Sequence, residues 1–383
     1  HLEESGGDGG MKWEIAKLGK IAIIRTGKLD SNAAVIGGRY PFFTCDPNTL
    51  SIDVWAYDTE AVLLAGNNAS GNYTAKYYKG KFNAYQRTYI IESADEEKLN
   101  IRYFCYALNQ QLRLLKTMSS GSTTKFLTVR MLDNLDIPLP SINIQTEIVN
   151  ILSAYDDLIE NNQKQIKLLE EAAQRLYKEW FVDLRFPGHE NTKIVDGVPE
   201  GWNEKTLSQV ANVIMGQSPK SEFYNSEKKG LPFHQGVGSY GVRFVMDDIY
   251  STSYTRIAEP NSILFSVRAP VGRLNITKNK VVIGRGLAAI NQTDGCQSYL
   301  YYLLKNRFFK DNIVGNGSIF ASVSKDELLN QKFLIPERNL MMQFEKIVSQ
   351  MDKQIENLDS KNKKLIEARD RLLPKLMSGE VEV

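Results

Sequence analysis

The chain has 383 residues, 42% hydrophobic and 24% charged, with a formal net charge of +2, which is enough for two cores of ordinary domain size. No apolar run reaches the ~18 residues of a membrane helix or has the form of a secretory leader. The three cysteines, Cys45, Cys105 and Cys296, lie far apart and in no CxxC arrangement, which argues against a disulfide framework or a zinc site and points to a reducing, cytoplasmic setting.

In chain order, residues 1–10 (HLEESGGDGG) read as a tag remnant and are set aside. The chain is then written twice. Trp13, Leu18, Ala22 and Gly27 recur as Trp202, Leu207, Ala211 and Gly216 at a constant offset (202 − 13 = 189). Gly121-Ser122 recurs as Gly317-Ser318 (offset 196), and Ile137-Pro138 recurs as Ile335-Pro336 (offset 198). A period this long marks a duplicated module rather than a solenoid repeat. In each copy, short runs rich in Val, Ile, Phe and Tyr read as strands: Ile21–Ile24 and Ala61–Leu64 in the first, and Val242–Val245, Ile263–Val267 and Lys280–Ile283 in the second. Leu99–Leu115 and Ser298–Phe309 read as helices, and Ser324–Glu327 has capping-box spacing at the start of a short one.

Between Ser141 and Phe186 there is no proline or glycine, and apolar residues recur at alternating steps of four and three from Ile148 to Trp180. The same alternation runs from Val348 to Leu372, so each copy ends in a heptad seam. Each helix is expected to span about 45–50 Å, and Pro374 to end or kink the second. Each seam carries one asparagine. An antiparallel pairing with Asn162 facing Asn362 makes every layer sum to 524, placing Leu152 with Leu372, Leu176 with Val348, and Tyr155 with Arg369 as a cation–π pair. The prolines, glycines and polar residues of 186–201 mark a linker. The predicted organisation is α+β. It comprises two mixed α/β domains at 11–142 and 202–340, long helices at 143–185 and 341–377 forming an antiparallel coiled coil, and a tail at 378–383.

Catalytic chemistry is thinly represented. Beyond the tag, only His189 and His234 are present, so no histidine triad or clustered metal site assembles, and His234 reads as a satisfied structural residue. There is no GxxxxGK[ST] phosphate loop. Gly236–Gly241 matches GxGxxG but is followed by the strand-like VRFV where a dinucleotide site requires a helix, so it reads as a glycine-rich turn. No Asn-Pro-Pro-Tyr-type motif for a flipped adenine is present.

Binding chemistry, by contrast, clusters. The globular parts are basic (residues 11–142, 16 − 12 = +4; residues 202–340, 17 − 11 = +6), while 143–185 is acidic (5 − 8 = −3), a division that draws a polyanion to the globular parts. Residues 61–91, 98–132 and 260–293 contain no acidic side chain. The candidate nucleic-acid contacts are Lys76, Tyr77, Lys79, Lys81, Arg87 and Lys125 in the first copy, and Arg243, Arg268, Arg273, Lys278 and Arg285 in the second. Two rivals remain at this point: a module binding carbohydrate or protein through tyrosine-rich loops, and an autonomous DNA-modifying enzyme.

The order of GGRYPFFTC (37–45), GSTTKFLTVRMLDNLDIPLPS (121–141), the long helices, FPGHENTKIVDGVPEGW (186–202), SVRAPVGRLN (266–275) and LPKLMSGE (373–380) resembles the specificity subunit of type I restriction-modification systems. The resemblance covers Trp13 to Met377. It implies two target recognition domains, each reading one half of a gapped site in double-stranded DNA, with the coiled coil setting the gap. It also implies two modification (methyltransferase) subunits docked on the helices, which bring S-adenosylmethionine. Two restriction/translocase subunits using ATP and Mg are admitted as further partners. The chain itself is expected to hold no cofactor or metal and to catalyse nothing alone. One departure is that Pro138-Leu-Pro140 becomes Pro336-Glu-Arg338, where packing at the start of the second long helix is expected to differ.

Overall fold

Ala61, Val62, Leu63 and Leu64 are all buried, but on two faces: Val62 and Leu64 pack with Leu18, Ile91, Tyr103 and Leu108, whereas Ala61 and Leu63 pack with Phe43, Phe82 and Ile90. Alternate side chains of a strand point to opposite faces, so this is a strand covered on both sides. The computed structural model describes residues 13–67, 73–118, 127–308 and 322–383; Lys125 and the loops 119–124 and 315–318 lie outside them. It divides into two units, His1–Asn162 with Ser360–Val383, and Gln163–Asp359. Each unit holds one mixed domain together with the helix segments that pack on it.

The first unit is built on a six-stranded sheet in the order Ala22–Thr26, Thr88–Ser93, Tyr57–Ala65, Ala75–Ala84, Tyr40–Phe43, Leu50–Ile52. It is antiparallel except where Tyr40–Phe43 pairs with Ala75–Ala84. Helix Ile101–Met118 covers one face through Tyr103, Phe104, Ala107 and Leu108. Into the same core come Ile148, Val149 and Leu152 from one long helix and Leu373, Leu376 and Met377 from the other.

The second unit carries a four-stranded antiparallel sheet, Ala211–Met215, Leu287–Gln292, Ile263–Ser266, Leu274–Ile276. A five-stranded sheet runs Tyr224–Asn225, Tyr250–Ser251, Leu231–His234, Val281–Ile283, Ile257–Ala258. Ile263 and Phe265 join the large core under helix Gln297–Phe308, while Leu264 faces the other side with Val281 and Ala289. The long helices supply Ala173, Tyr177, Phe344 and Val348 to that core. Ser324 caps helix Lys325–Leu329 in a capping box with Glu327. The expected strand at Val242–Val245 does not form: the segment makes only the isolated bridges Tyr240↔Val245 and Phe244↔Ile276. Its alternation is inverted, with Val242 91% exposed and Arg243 buried, because Arg243 is drawn into ion pairs. The expected linker is also more than a tether, since Phe186 is buried against the Trp202 ring at 5.4 Å.

The duplication is visible in the backbone. Leu18–Ile21 and Leu207–Val210 are single helical turns leading into the equivalent strands Ala22–Thr26 and Ala211–Met215. Each strand ends at a glycine with no room for a side chain: a Cβ on Gly27 would sit 2.1 Å from the Ala84 carbonyl oxygen, and one on Gly216 would sit 2.1 Å from that of Gly284. Glycine permits this close backbone approach.

The long helices are Ile142–Phe181 and Arg338–Ser378, 40 and 41 residues, so each is roughly 60 Å at ~1.5 Å per residue, longer than the heptad run alone implied. Pro374 lies inside the second helix rather than ending it; the helix stops at Gly379, whose φ of +76° is the left-handed conformation of a C-terminal cap. The two helix starts correspond across the duplication (338 − 142 = 196). The packing there differs: Gln145 accepts from the Asn100 amide in the first copy, while the half-buried carboxylate of Glu345, farther into its helix, accepts from the Ser298 and Tyr299 amides in the second. Within the first unit, Asn162 Nδ2 donates to Asn362 Oδ1 at 2.8 Å, and Asn362 Nδ2 donates to the Ile159 carbonyl at 3.4 Å. Arg369 does not stack on Tyr155; its guanidinium pairs with Asp156 at 2.6 Å and with Asp370 at 2.8 Å, because an adjacent carboxylate outcompetes a ring face.

Two stability outcomes are expected. Asn162→Leu leaves the buried Oδ1 of Asn362 without its donor and costs about 1–3 kcal/mol, and adding Asn362→Leu recovers most of that loss; urea melts of the three variants check this, and strictly additive losses would mean that the amides are uncoupled. Gly27→Ala and Gly216→Ala should each cost about 2 kcal/mol or more, whereas Gly236→Ala, whose Cβ would meet nothing within 4 Å, should stay within ~0.5 kcal/mol, as read from thermal melts.

Candidate nucleic-acid interface

An arginine aimed at a polyanion must keep its guanidinium in solvent, and two of the candidates occupy the same turn in the two copies. Arg87 is exposed between strands Ala75–Ala84 and Thr88–Ser93; Arg285 is exposed between Val281–Ile283 and Leu287–Gln292. They share the turn but not the position within it: Gly27 and Gly216 donate to the carbonyls of Thr88 and Leu287, which sets Arg285 level with Gln86, one residue before Arg87. Backbone bonds hold both turns: Gly66 donates to the Arg87 carbonyl at 2.8 Å, and Val267 donates to the Gly286 carbonyl at 2.9 Å.

Arg268 and Arg273 flank a second exposed feature, the turn that links Ile263–Ser266 to Leu274–Ile276. Ser266 shapes it, donating from Oγ to the Pro270 carbonyl at 2.6 Å and accepting from the Arg273 amide at 2.8 Å. Both arginine side chains are exposed there. A rigid turn presenting two guanidinium groups suits phosphate or base-edge contacts.

Other candidates are already engaged within the protein. Lys79 pairs with Glu60 at 2.8 Å, and Lys81 lies 4.6 Å from the centre of the exposed Trp55 ring, leaving both on the surface but partly neutralised or stacked. Lys76 donates to the Pro47 carbonyl at 2.7 Å and to Thr49 at 3.3 Å; burial lowers its pKa, with Asp46 acting in the opposite sense. Tyr77 is half-buried, donates to Glu60 at 2.8 Å and carries the Arg102 guanidinium on its ring. Burial, reinforced by that hydrogen bond to Glu60, pushes its phenol up to about 12. Tyr77 is thus a packing residue of the sheet face that carries helix Ile101–Met118, not a surface contact.

Two expectations are corrected outright. Arg243 is 2% exposed and bound to Glu170 and Asp352, and Lys278 pairs with Asp359 at 2.7 Å beside the Phe244 ring. Both cations are spent inside the second unit, since the acid-free stretch of sequence around Lys278 folds against the acidic side of the long helices. Glu170, Asp352, Tyr301 and Tyr302, which hold Arg243, went unrecognised in the sequence; the signal available was an acid beside the seam in both helices. His234 is fully buried, with Nδ1 2.8 Å from Ser239 Oγ and Nε2 3.1 Å from Asp247 Oδ1, as a structural histidine would be. Among the described residues no group of three or more His, Cys, Asp or Glu is placed to hold a metal, and no helix is long and apolar enough to cross a membrane.

Two segments, residues 11–171 and 199–368, match the family model described as the type I restriction modification DNA specificity domain. A protein of Methanocaldococcus jannaschii named as the MjaX type I restriction enzyme specificity subunit is 29% identical over 316 residues, covering 80% of this chain and 74% of that one. The type I restriction enzyme EcoDI specificity subunit of Escherichia coli is 32% identical over 224 residues, 52% of this chain but only 49% of the relative's own length. Among solved structures, a type I restriction-modification system S subunit from M. genitalium shares the fold with a TM-score of 0.61 over 96% of both chains, at 19% identity. The matched segments span both copies of the duplication, and the chain belongs to the type I restriction modification DNA specificity domain family.

Proposed function

We propose that this chain is the DNA-reading specificity subunit of a type I restriction-modification complex. Residues 11–142 and 202–340 are its two target recognition domains, each reading one half of a gapped site in double-stranded DNA. The helices Ile142–Phe181 and Arg338–Ser378 pair antiparallel, set the gap and dock two modification subunits, with two restriction/translocase subunits as further partners. Methyl transfer belongs to those modification subunits, which supply S-adenosylmethionine; ATP and Mg belong to the restriction subunits. The chain contributes recognition and no catalysis of its own.

The observation that carries this reading is that the same turn of each of two duplicated domains presents a solvent-facing arginine, Arg87 in one and Arg285 in the other. A duplicated reader suits a target with two halves, and guanidinium groups engage phosphates or guanine edges. A carbohydrate- or protein-binding module would need neither the matched arginines nor the family's paired helices.

Co-expression with the candidate modification subunit, followed by single-molecule mapping of methylated adenines in host DNA, should return one asymmetric gapped motif methylated on both strands. A stable complex that leaves the DNA unmethylated would return the argument to a binding module for another ligand. In the same complex, Arg87→Ala and Arg285→Ala should each reduce the slope of log affinity against log salt by about one. Lys79→Ala, whose charge is already met by Glu60, should leave that slope nearly unchanged; equal effects from all three would assign the arginines no special place in DNA contact.

A further inference from the structure

Arg243 is placed where a cation is costly. Its Nη1 donates to Glu170 Oε1 at 3.3 Å and to the Tyr302 hydroxyl at 3.2 Å, and its Nη2 donates to Asp352. The guanidinium carbon lies 4.5 Å from the Tyr301 ring centre and 5.8 Å from that of Tyr302. These partners come from three different helices: Glu170 from Ile142–Phe181, Asp352 from Arg338–Ser378, and the tyrosines from Gln297–Phe308. Arg243 itself is tied to the sheet of the second domain, its carbonyl accepting from the Ile276 amide at 2.9 Å. One residue thus joins both paired helices and the domain's helix through its side chain and the domain's sheet through its carbonyl.

A second cation repeats the arrangement farther along the same helix. Lys278 Nζ reaches Asp359 at 2.7 Å and the Glu356 carbonyl at 3.4 Å, and sits 4.5 Å from the Phe244 ring. Asp352, Glu356 and Asp359 follow at helical spacing on one face of Arg338–Ser378. The first unit has its own version on helix Ile101–Met118: Tyr106 donates to Asp156, Arg102 pairs with Asp157 at 3.2 Å, and Arg369 from the second long helix pairs with the same Asp156 at 2.6 Å. In the first unit one carboxylate, Asp156, is shared between the domain and the second long helix, and in the second unit one cation, Arg243, is shared between the two helices.

Apolar side chains of similar volume would hold such a junction with less desolvation cost, whereas a buried, directional ion pair penalises alternative placements of the elements it joins. We propose that the Arg243–Glu170–Asp352 junction is a clamp that fixes the orientation of the second recognition domain on the paired helices and thereby sets how strictly the gap between half-sites is enforced. Arg243 is a positioning residue, not a DNA contact. This inference rests on the specificity-subunit reading above and adds to it the residues that convert helix pairing into gap selectivity.

The test uses the complex with its modification subunits and duplexes carrying the two mapped half-sites at the native gap, or one base pair shorter or longer. Arg243→Met should raise the ratio of off-gap to native-gap methylation roughly tenfold, the size of one pairwise coupling, with both half-site sequences unchanged. Arg243→Lys should fall between Met and the native residue. Asp352→Asn keeps the volume and should shift the ratio in the same direction, which serves if the Met variant does not accumulate. A ratio, unlike a rate, does not change with the amount of folded complex, so a purely stabilising role would leave it constant. An unchanged ratio in every folded variant, a changed second half-site, or collapse of the complex even with Asp352→Asn would overturn the clamp. An unaltered complex that methylates no gapped motif would instead remove the specificity-subunit reading, and the clamp with it.

Discussion

The antiparallel pairing of two helices that lie at the ends of the two copies governs how everything else in the molecule is assembled. Because Asn162 must meet Asn362 within one unit, the last residues of the chain return to the domain formed by its first. Leu373, Leu376 and Met377 then complete the core that Leu18 and Val62 begin, and Phe344 and Val348 do the same for the core around Ile263 and Phe265. Neither domain closes its core with its own contiguous residues alone. The amide pair adds register to this scheme: a slip in either direction would bury an unpaired amide against leucine.

Two kinds of interaction divide the work at the junctions. Apolar burial supplies most of the stabilisation, with Phe344 packed edge to face on Tyr177 and Phe181, and Phe181 on Tyr299, between helix and domain. The ion pairs add direction. Asp156 receives both Tyr106 and Arg369, and Asp352 receives Arg243, so the acidic character of the helices, which looks like solvated surface in composition, is partly consumed in holding the domains. Arg87, Arg268 and Arg285 face solvent on turns. Rigid scaffolds with variable turns are a common arrangement for recognition.

The duplication explains why both copies retain features that neither sheet pattern alone would demand. Gly27 and Gly216 each lie against a carbonyl of a neighbouring segment, and each donates its amide at the head of a core strand, to Thr88 at 3.1 Å and to Leu287 at 2.9 Å. The sheets around them have nevertheless diverged, six strands in one unit against four and five in the other.

The sequence by itself determined the duplication, the heptad seams, the asparagine register and strands within 21–24, 61–64, 263–267 and 280–283, because each is a periodicity or a spacing that short stretches of chain express locally. It misplaced Val242–Val245, where an ion pair outweighed local propensity. Which cations face solvent was decided by the tertiary structure alone. Arg243 finds Glu170 and Asp352 at sequence separations of 73 and 109, and Lys278 finds Asp359 at 81. A charge is free or spent according to partners that only folding brings within a few ångströms, and no window along the chain contains both members of such a pair.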